Sequence, residues 1–586
     1  MTSQHDPHNT PALPWHAAYQ RAGISPELPA KRFRNLADLV SQSSQTYADQ
    51  QAFTCVVPNG MNGSLSFTQI DQLSDAFAGY LRETLGLPKG SSIAIQLPNS
   101  LSYAVAAFGI IKACCVLVNT NPLYTTAEMI HQFIDADVKA LVIVDMFADK
   151  LPEVMAATGL EHVIVAGVPE FFPKIPQTIV RGVQKIWSKV LPPITVPHVR
   201  LQLALYQGRQ TLGTGDAKIY WEHISGEQVA VLQYTGGTTG VSKGAMLTHD
   251  NILINIQQMF AMTGSHMEEG TECVLTALPL YHIFAFMVNL LGFYSIGARN
   301  ILIPSPRPIQ NLQRAIENYP ITWFTGVNTL YNALLNEEWF VAYPPKTLKA
   351  SVAGGTALHQ AVAKRWQAVT NTPIAEGYGL TETSPVVSFN PLGAAAKAGT
   401  IGIPAPHTQI RLVLENGQPA AVGEAGELLI KGPQVMKGYW QRPDETALAI
   451  QDGWLATGDI AVMDEEGYFK IVDRKKDMIL VSGFNVYPNE VEDAIGMLDS
   501  VLEVAVVGLP DTKSGEAVRA YVVKNPEFEG ELNPQTIIEH CRTVLTGYKI
   551  PKEIVFRDDL PKSPIGKILR KDLKAEIKAE FSAKAS

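Results

Sequence analysis

The stretch Tyr234-Thr235-Gly236-Gly237-Thr238-Thr239-Gly240-Val241-Ser242-Lys243-Gly244 directly follows an apolar run, Val229–Leu232, that is typical of a buried strand. Closely spaced glycines let backbone N–H groups approach phosphate oxygens. Three threonines in the stretch add hydroxyl donors, and Lys243 adds a mobile positive charge. The stretch therefore predicts a loop that binds a polyphosphate at the end of a strand.

The loop is not a Walker A motif. That motif requires Gly-Lys followed by Ser or Thr, whereas here Lys243 precedes Gly244 and the hydroxyl groups come first. The order argues against a P-loop kinase or ATPase. The alternative interpretation is a flexible turn that is rich in glycine and threonine and binds nothing.

Outward from the loop, the first two-thirds of the chain alternates strand-like runs with helical patterns, which indicates layered parallel α/β structure. The strand candidates there are Ser92–Leu97, Cys115–Asn119, Ala140–Val144, Val163–Ala166 and Asn300–Ile303. From about residue 405 to 475, short strands with glycine-bearing turns predict a β-rich subdomain. We expect a large domain, residues 1–475, and a small α+β domain, residues 476–586.

Composition fits an ordinary folded protein. The chain has 586 residues, of which 46% are hydrophobic and 18% charged, and this length exceeds what one core usually organises. The net charge of −9 and the lack of a long basic run argue against nucleic acid as a partner. The five cysteines have no zinc-ligand spacing, so we expect no disulfide framework and a reducing compartment.

Targeting signals are not apparent in the sequence. Residues 1–14 are polar, and the longest apolar run, Tyr103–Val118, is interrupted by Lys112 and short for a membrane span. We therefore expect a cytoplasmic protein that is soluble or bound only to the cytoplasmic face of a membrane.

Residues 179–191 form an amphipathic pattern. The apolar positions at helical spacing are Ile179, Val183, Ile186, Trp187 and Val190, and the basic positions opposite them are Arg181, Lys185 and Lys189. Such a helix lies on an anionic membrane surface or docks on the core of its own protein. Both interpretations stay open at this point.

Five further motifs follow the loop in order: Leu278-Pro279-Leu280-Tyr281-His282-Ile283-Phe284, Glu376-Gly377-Tyr378-Gly379-Leu380-Thr381-Glu382-Thr383, Gly453-Trp454-Leu455-Ala456-Thr457-Gly458-Asp459, Asp473-Arg474-Lys475-Lys476-Asp477 and Pro564-Ile565-Gly566-Lys567. Together with the loop they resemble the adenylate-forming superfamily of acyl-CoA synthetases, peptide-synthetase adenylation domains and firefly luciferase. The resemblance runs from about Leu36 to Leu573. It is greatest to bacterial long-chain fatty-acid–CoA ligases, on residues 232–234, 432–440 and 480–488.

The resemblance implies an α/β fold with a mobile C-terminal domain that carries Lys567. It also implies two half-reactions, in which a fatty acid and ATP give an acyl-adenylate and the thiol of coenzyme A then takes the acyl group. ATP and CoA are thus the expected co-substrates, and Mg²⁺ the expected cofactor. A homodimer is kept open as a further partnership.

The resemblance also implies roles for single residues. The implied nucleotide site comprises Thr235, Gly236, Gly237, Thr238, Thr239, Gly240, Lys243, Gly354, Gly355, Thr356, Glu376, Gly377, Tyr378, Gly379, Thr381, Asp459, Arg474 and Lys567. The implied catalytic residues are Lys567, Thr235, Glu382 and His282, with Thr235 and Glu382 as Mg²⁺ ligands. His282, Phe284 and Phe286 would border the acyl site, Gly483 and Phe484 the CoA channel, and Lys476 would be the hinge.

Each of these residues also has an ordinary structural interpretation. Glu382 fits a helix-capping carboxylate, and Asp459 with Arg474 fits a surface ion pair. His282 and the phenylalanines after it fit plain core packing, and an isolated Lys567 fits a solvated tail residue.

Three other functions remain as alternatives. The first is a ligase of the same superfamily for a medium-chain, short-chain or aryl acid, because the motifs do not identify the acid. The second is an enzyme that passes the acyl group to a carrier protein. The third is a non-catalytic lipid-binding protein at a membrane surface.

Overall fold

The computed structural model describes residues 13–235, 242–511, 513–528, 530–563 and 566–585. The strands β1 to β26, in chain order, are Gln51–Val56, Asn62–Ser66, Ser92–Gln96, Val116–Asn119, Val138–Val144, His162–Ala166, Val199–Arg200, Val229–Thr235, Lys243–Thr248, Cys273–Thr276, Arg299–Leu302, Trp323–Gly326, Ala350–Ala353, Ile374–Gly379, Val386–Phe389, Ile403–Pro404, Gln409–Val413, Gly426–Lys431, Ile450–Gln451, Trp454–Met463, Phe469–Arg474, Ile479–Val481, Phe484–Val486, Val501–Asp511, Gly515–Lys524 and Glu553–Arg557.

The α-helices α1 to α18 are His16–Ala22, Leu36–Thr46, Phe67–Gly79, Leu101–Lys112, Thr126–Asp135, Leu151–Ala157, Lys174–Gly182, Leu201–Leu212, Lys218–Trp221, His249–Thr263, Gln313–Asn318, Asn328–Leu335, Glu338–Ala342, Gln360–Thr370, Pro443–Ala449, Pro488–Gly496, Pro534–Val544 and Arg570–Ala585. Short π-helical segments are Tyr80–Thr84, Val183–Trp187 and Ala285–Phe293, and 3₁₀ segments are Asp145–Lys150, Gly264–His266, Ile309–Leu312, Thr381–Thr383, Gly393–Ala395 and Gly547–Lys549.

Two largely parallel sheets form the first part of the chain. One has the strand order β7-β6-β5-β3-β4-β8-β9, and the other β16-β15-β14-β13-β12-β10-β11-β1-β2. Their central strands are apolar runs such as β5, because a parallel strand is covered on both faces. One core cluster spans both sheets and includes residues of α3 and α4. The expected α/β fold is confirmed, and every strand candidate overlaps a strand.

The β-rich part is an antiparallel sheet of order β17-β18-β20-β19, with β21 paired to β20. The β20–β21 turn requires glycine at position 467 for two reasons. Gly467 has φ of +83°, and a Cβ atom there would lie 2.6 Å from the backbone of Trp15. This hairpin sets residues of β20 and β21 opposite each other at the site described below.

The small domain contains a mixed sheet. Its strand order is β23-β22-β25-β24, and β26 pairs with β25 in parallel. Helices α16 and α17 contribute to the same core cluster as these strands. The predicted alternation of strands and helices agrees with this α+β unit. The predicted boundary at residue 475 falls between the end of β21 and the start of β22 and stays a prediction.

The amphipathic segment does not bury its apolar stripe. The exposed fractions are 75% for Ile175, 75% for Ile186 and 88% for Trp187, whereas Val180 is buried. Arg181, which was expected on the outer basic face, instead points inward. Its guanidinium group lies 3.4 Å from the Asp145 carboxylate and 3.3 Å from that of Glu170.

No helix in the described part of the chain is both long and apolar enough to cross a membrane. Each of the five cysteines carries a free thiol.

Candidate active site

A cavity of about 1790 Å³ lies where the two parallel sheets, the β-rich sheet and the small domain meet. Thr235 at the end of β8 and the loop after β13 contribute to its wall, because carboxyl ends of parallel strands open toward the same side. Strand β20 and residues 566–571 of the small domain close the opposite side. A cavity of this size can accommodate more than one substrate group.

The structure brings most of the predicted site residues to this cavity. They are Thr235, Lys243, His282, Phe284, Gly354, Gly355, Thr356, Glu376, Gly377, Tyr378, Gly379, Thr381, Glu382, Asp459, Arg474, Lys476 and Lys567. Gly236, Gly237, Thr238, Thr239 and Gly240 lie outside the described residues. Residues that are separated by more than 300 positions in the chain therefore share one cleft.

Three predicted residues are not at the cavity. Phe286 is completely buried in the main core, since it stands two positions after Phe284 in a helical segment and so points to a different side. Phe286 does not line this cavity, and a role for it at the acyl site stays a prediction. Gly483 and Phe484 lie at the exposed β22–β23 turn, where the Phe484 ring stacks on Tyr548 at 4.8 Å.

A carboxylate and a guanidinium group face each other across the β-rich hairpin. Asp459 and Arg474 are register partners in β20 and β21, and Arg474 Nε lies 3.2 Å from Asp459 Oδ1. The hydroxyl of Tyr378 donates to Asp459 Oδ2 at 2.6 Å. Burial and the neighbouring Asp459 carboxylate raise the pKa of Tyr378 well above its usual value, so its hydroxyl stays a donor. The group is thus both the ion pair expected as an alternative and a wall of the cavity.

Lys567 is the cation that the small domain carries into the cleft. Burial lowers the pKa of its amine to about 7, and the positive charge of Arg474 acts in the same direction. Its loop is held by the Ser563 amide, which donates to the Lys567 carbonyl at 2.7 Å, and by Thr329, which donates to the Gly566 carbonyl at 3.2 Å. An anion bound beside Lys567 would favour the charged form and restore a higher pKa.

His282 is neutral in this environment. Burial and the charge of Lys567 lower the pKa of its imidazole to about 4. The backbone amide of Phe284 donates to its Nδ1 at 3.4 Å, which leaves the ring proton on Nε2. His282 is therefore suited to donate a hydrogen bond to a substrate oxygen and not to supply positive charge.

Glu382 has one carboxylate oxygen engaged. The Tyr439 hydroxyl donates to Oε1 at 2.8 Å, while Oε2 accepts no hydrogen bond from the described residues. The ammonium of Lys243 lies 5.0 Å from the centre of the Tyr439 ring and also pairs with Glu445. The Tyr439 hydroxyl thus holds the Glu382 carboxylate, and the Lys243 ammonium lies over the same tyrosine ring. This arrangement is suitable for a site that binds phosphate groups.

Glu382 and Thr235 fit the expected Mg²⁺ in their chemistry. Mg²⁺ prefers hard oxygen ligands and is usually held by one or two carboxylates together with substrate phosphates and water. Within the described residues there is no group of three or more His, Cys, Asp or Glu side chains that would hold a metal by itself. The residues thus fit a metal that arrives with the nucleotide.

Two further polar groups line the nucleotide side of the cavity. Burial raises the pKa of the Glu376 carboxyl to about 8, so this group is protonated at neutral pH and can donate a hydrogen bond. The Thr356 hydroxyl is buried and has no hydrogen-bond partner among the described residues. An unpaired buried hydroxyl is costly, which is consistent with a ligand partner at this loop.

Part of the cavity wall is apolar; we call this part the apolar arm, and the sequence did not locate it. Its walls include Met259, Met262, Val288, Phe293 and Trp323. These side chains are largely buried, and the rings of Phe293 and Trp323 meet edge to face with their centroids 5.8 Å apart. Methionine side chains are flexible, so Met259 and Met262 can adjust to an apolar ligand. The sequence analysis also missed Tyr439, although it lies within residues 432–440, one of the segments that carry the resemblance.

The profile of the AMP-binding enzyme family matches residues 40–440, and that of the AMP-binding enzyme C-terminal domain matches residues 490–567. The chain belongs to the AMP-binding enzyme family. The two matches fall on either side of the joint between the β-rich sheet and the small domain.

Curated relatives of this family are similar over nearly the full length. A long-chain-fatty-acid–CoA ligase of Escherichia coli O6:H1 is 46% identical over 565 residues, which cover 96% of this chain and 98% of the relative. Proteins of the same name from Haemophilus influenzae and Bacillus subtilis are 42% and 35% identical, and each alignment covers 96% of this chain and 98% of the relative.

Solved structures share the fold. ATP-bound MatB from Rhodopseudomonas palustris is 26% identical, with a TM-score of 0.77 over 92% of this chain and 99% of that protein. The anthranilate CoA ligase AuaEII in complex with anthranoyl-AMP has a TM-score of 0.82 at 24% identity, over 94% of this chain and 98% of that protein.

We expect Tyr439→Phe to raise the KM for ATP about tenfold with a smaller effect on the KM for the acid. The substitution keeps the ring beside Lys243 and removes only the hydrogen bond to Glu382, and bonds to charged groups contribute about 1.5–3 kcal/mol. Steady-state kinetics with each substrate varied in turn measures this.

The matched control is Tyr468→Phe. Tyr468, like Tyr439, has a lysine over its ring and a hydroxyl that donates a hydrogen bond, here to the Ala395 carbonyl at 2.6 Å, but it does not line the cavity. An equal rise in KM for both variants would contradict a role for Tyr439 at the nucleotide.

Proposed function

We propose that this chain is an AMP-forming long-chain fatty-acid–CoA ligase. It converts ATP, a fatty acid and CoA into acyl-CoA, AMP and pyrophosphate through an acyl-adenylate. The observation that carries the proposal is that Lys567, supplied by the small domain, enters a cleft that also holds Asp459, Arg474 and Glu382 and continues into an apolar arm. The names of the relatives at 46% identity agree with it.

In the first half-reaction a carboxylate oxygen of the acid attacks the α-phosphorus of ATP, and the bond to pyrophosphate breaks. The step needs positioning and neutralisation of phosphoryl charge. Lys567 and Lys243 supply the positive charge, and Asp459 accepts hydrogen bonds from the ribose hydroxyls. His282 donates from Nε2 to the acid and aligns it.

Mg²⁺, when bound with ATP at Glu382 and Thr235, supplies further neutralisation of the phosphate oxygens. The Tyr439 hydroxyl keeps the Glu382 carboxylate in one orientation by donating to Oε1. Glu376 and Thr356 complete the nucleotide side of the cavity as hydrogen-bond partners.

The apolar arm supports a fatty acid as the substrate. Met259, Met262, Val288, Phe293 and Trp323 offer no charged partner for a second carboxylate. Each methylene that moves from water into such an arm contributes about 0.8 kcal/mol, so binding should strengthen with chain length. An aryl acid would leave part of the arm unfilled.

In the second half-reaction the CoA thiolate attacks the acyl carbon, and AMP leaves. Gly483 and Phe484, which lie away from the cavity here, are proposed to reach the CoA side after the small domain rotates about Lys476. The proposal includes a domain boundary between residues 475 and 476. The intact cleft and the small domain argue against the binding-only and carrier-protein alternatives.

We also propose that residues 179–191, together with Ile175 shortly before them, contact the cytoplasmic face of a membrane. Ile175, Ile186 and Trp187 present apolar side chains to solvent, and Lys185 and Lys189 lie nearby in the chain. An apolar stripe flanked by lysines favours binding at an anionic lipid interface. The ion pairs of Arg181 with Asp145 and Glu170 hold the segment to the protein. The homodimer stays a prediction.

CoA-dependent formation of AMP across a panel of acids from acetate to oleate, with benzoates included, tests the central proposal. We expect kcat/KM to rise with chain length because each added methylene enters the apolar arm. Omission of CoA is the control that separates adenylation from the complete reaction. Turnover restricted to short or aromatic acids would overturn the fatty-acid assignment while keeping the adenylation chemistry.

We expect Lys567→Ala to slow pyrophosphate exchange by about 100-fold or more, because it removes a charge that stabilises the phosphoryl transition state. Thioester formation from supplied acyl-AMP should change by only about two- to threefold, since phosphoryl transfer is already complete. An equal loss in both half-reactions would speak against this role.

The pH profile extends the same test. The pKa of Lys567 in the free enzyme is about 7, and the charged form is present below this pKa, so kcat/KM for ATP should fall as pH rises above 7. Lys567→Arg stays charged throughout and should flatten this limb even if its rate is lower.

We expect Trp187→Glu to weaken binding to anionic phosphatidylglycerol vesicles at least about tenfold, because it replaces an apolar anchor with a like charge. Sedimentation with vesicles measures this. Tyr343→Glu is the control, since Tyr343 is 76% exposed but lies outside the segment. Equal binding of the wild type and both variants would rule out a membrane role for residues 179–191.

A further inference from the structure

A carboxylate of the large domain caps a helix of the small domain. Asp473 is fully buried near the end of β21, three residues before the proposed hinge at Lys476. Its Oδ2 accepts the backbone amide of Asn489 at 2.8 Å, in the first turn of α16. Helix α16 has no side-chain cap of its own. A carboxylate at a helix N-terminus satisfies a free N–H group and complements the helix dipole.

The same carboxylate faces an arginine of the small domain. Arg570 Nη1 lies 3.4 Å from Asp473 Oδ1. The rest of the guanidinium group pairs with Glu492, through Nε to Oε1 at 3.0 Å and Nη2 to Oε2 at 2.6 Å. A second oxygen of the large domain, the Val472 carbonyl, accepts from Asn489 Nδ2 at 3.2 Å.

These contacts are close to Lys567 along the chain. Arg570 is the first residue of α18 and follows Lys567 by three positions. The contacts that fix the Arg570 side chain therefore limit how far the backbone of Lys567 can move. Asp473 precedes the hinge, while Asn489 and Arg570 follow it, so a large rotation about Lys476 must separate them.

Because Asp473 is buried, the contact between the domains depends strongly on both Asp473 and Arg570. The side chain of Asp473 is inaccessible to solvent, and burial raises the pKa of its carboxyl to about 6, an effect that the charge of Arg570 opposes. Removing one partner of a buried ion pair leaves the other charge uncompensated. The pair is thus favourable in one domain orientation and lost in others, which is what an orientation-selecting contact requires.

We propose that Asp473 and Arg570 are positioning residues that hold the small domain in the orientation in which Lys567 occupies the cavity, so that they favour the adenylation half-reaction over the thioester half-reaction. This inference rests on the proposed function for the two half-reactions. The contacts across the domain joint are independent of it. Asp473 itself touches no reacting atom in this role and acts through Asn489, Arg570 and the loop of Lys567.

A purely structural role would give a different pattern. Arg570 and Glu492 both belong to the small domain, so their pairing stabilises that domain in every orientation. Asp473 belongs to the large domain, and its contacts with Asn489 and Arg570 exist only when the domains are docked as they are here. Substitution of Asp473 therefore separates orientation from the stability of the small domain.

The first experiment compares Asp473→Asn with the wild type in both half-reactions. We expect pyrophosphate exchange to fall about tenfold and thioester formation from supplied acyl-AMP to stay within about twofold, because only the first requires Lys567 in the cavity. Arg570→Lys, which keeps the charge but loses the paired geometry, should shift the same ratio in the same direction. Equal effects on the two half-reactions would overturn the proposal.

The matched control is Glu490→Gln. Glu490 is the next residue in α16, and its ion pair with Lys549 lies entirely within the small domain. We expect this variant to leave the ratio of the two half-reactions unchanged. A shift in the ratio as large as that of Asp473→Asn would overturn the assignment to the interdomain contact.

A second experiment reads domain orientation without catalysis. Asn332 Nδ2 donates to the Leu502 carbonyl at 3.3 Å across the two domains, so Asn332→Cys with Leu502→Cys gives a pair for a short bismaleimide. We expect Asp473→Asn to slow cross-linking at least about fivefold and Glu490→Gln to leave it unchanged. Unchanged cross-linking in both backgrounds would overturn the inference. A normal cross-linking response in an enzyme that forms no AMP would instead overturn only the proposed function.

Discussion

The site depends on one constraint: the ammonium group of Lys567 is buried where the two domains meet. Lys567 is placed beside Arg474 with limited solvent, and both conditions disfavour its charge. The free cleft therefore holds a cation that is only partly charged at neutral pH. A polyphosphate supplies the missing negative charge, so nucleotide binding and the charging of Lys567 strengthen each other. A preorganised site of this kind stabilises developing phosphoryl charge without first having to reorganise water.

Each layer of the fold contributes one part of that arrangement. The parallel sheets direct Thr235 and the 354–356 loop toward the cavity from the ends of buried strands, while the β20–β21 hairpin sets Asp459 opposite Arg474. The small domain adds Lys567 through a loop that contacts Thr329. The sheets hold groups that line the nucleotide side of the cavity, and Lys567, whose pKa burial lowers to about 7, belongs to the small domain that is proposed to move.

The sequence identified polar residues that the structure brings together at the cavity, because these residues occur in short motifs whose chemistry can be interpreted locally. It predicted less where geometry decides. Phe286 follows Phe284 by two positions, and only the helical turn shows that it enters the core. The apolar arm draws on α10, a π-helical segment and β12, and no local pattern separates its residues from ordinary core residues. The apolar stripe at 179–191 was visible in the sequence, but the sequence did not show that Arg181 turns inward toward Asp145 and Glu170.

The joint between the domains has to balance two requirements. In the proposed mechanism, contacts that hold Lys567 in the cavity must be strong enough to populate that orientation, yet the free energy they contribute must be given up before CoA can react. A shift of a two-state equilibrium from 1:99 to 99:1 corresponds to about 5.5 kcal/mol, so a few buried polar contacts have the appropriate scale, whereas a large apolar interface would fix one orientation. The joint agrees with this limit. Its contacts include a helix cap, one long ion-pair distance and single hydrogen bonds such as that of Asn332. Among the described residues, no hydrophobic core cluster contains residues of both domains. Polar contacts that are directional and few can be lost together over a modest rotation, and this property suits a domain that serves two reactions in turn.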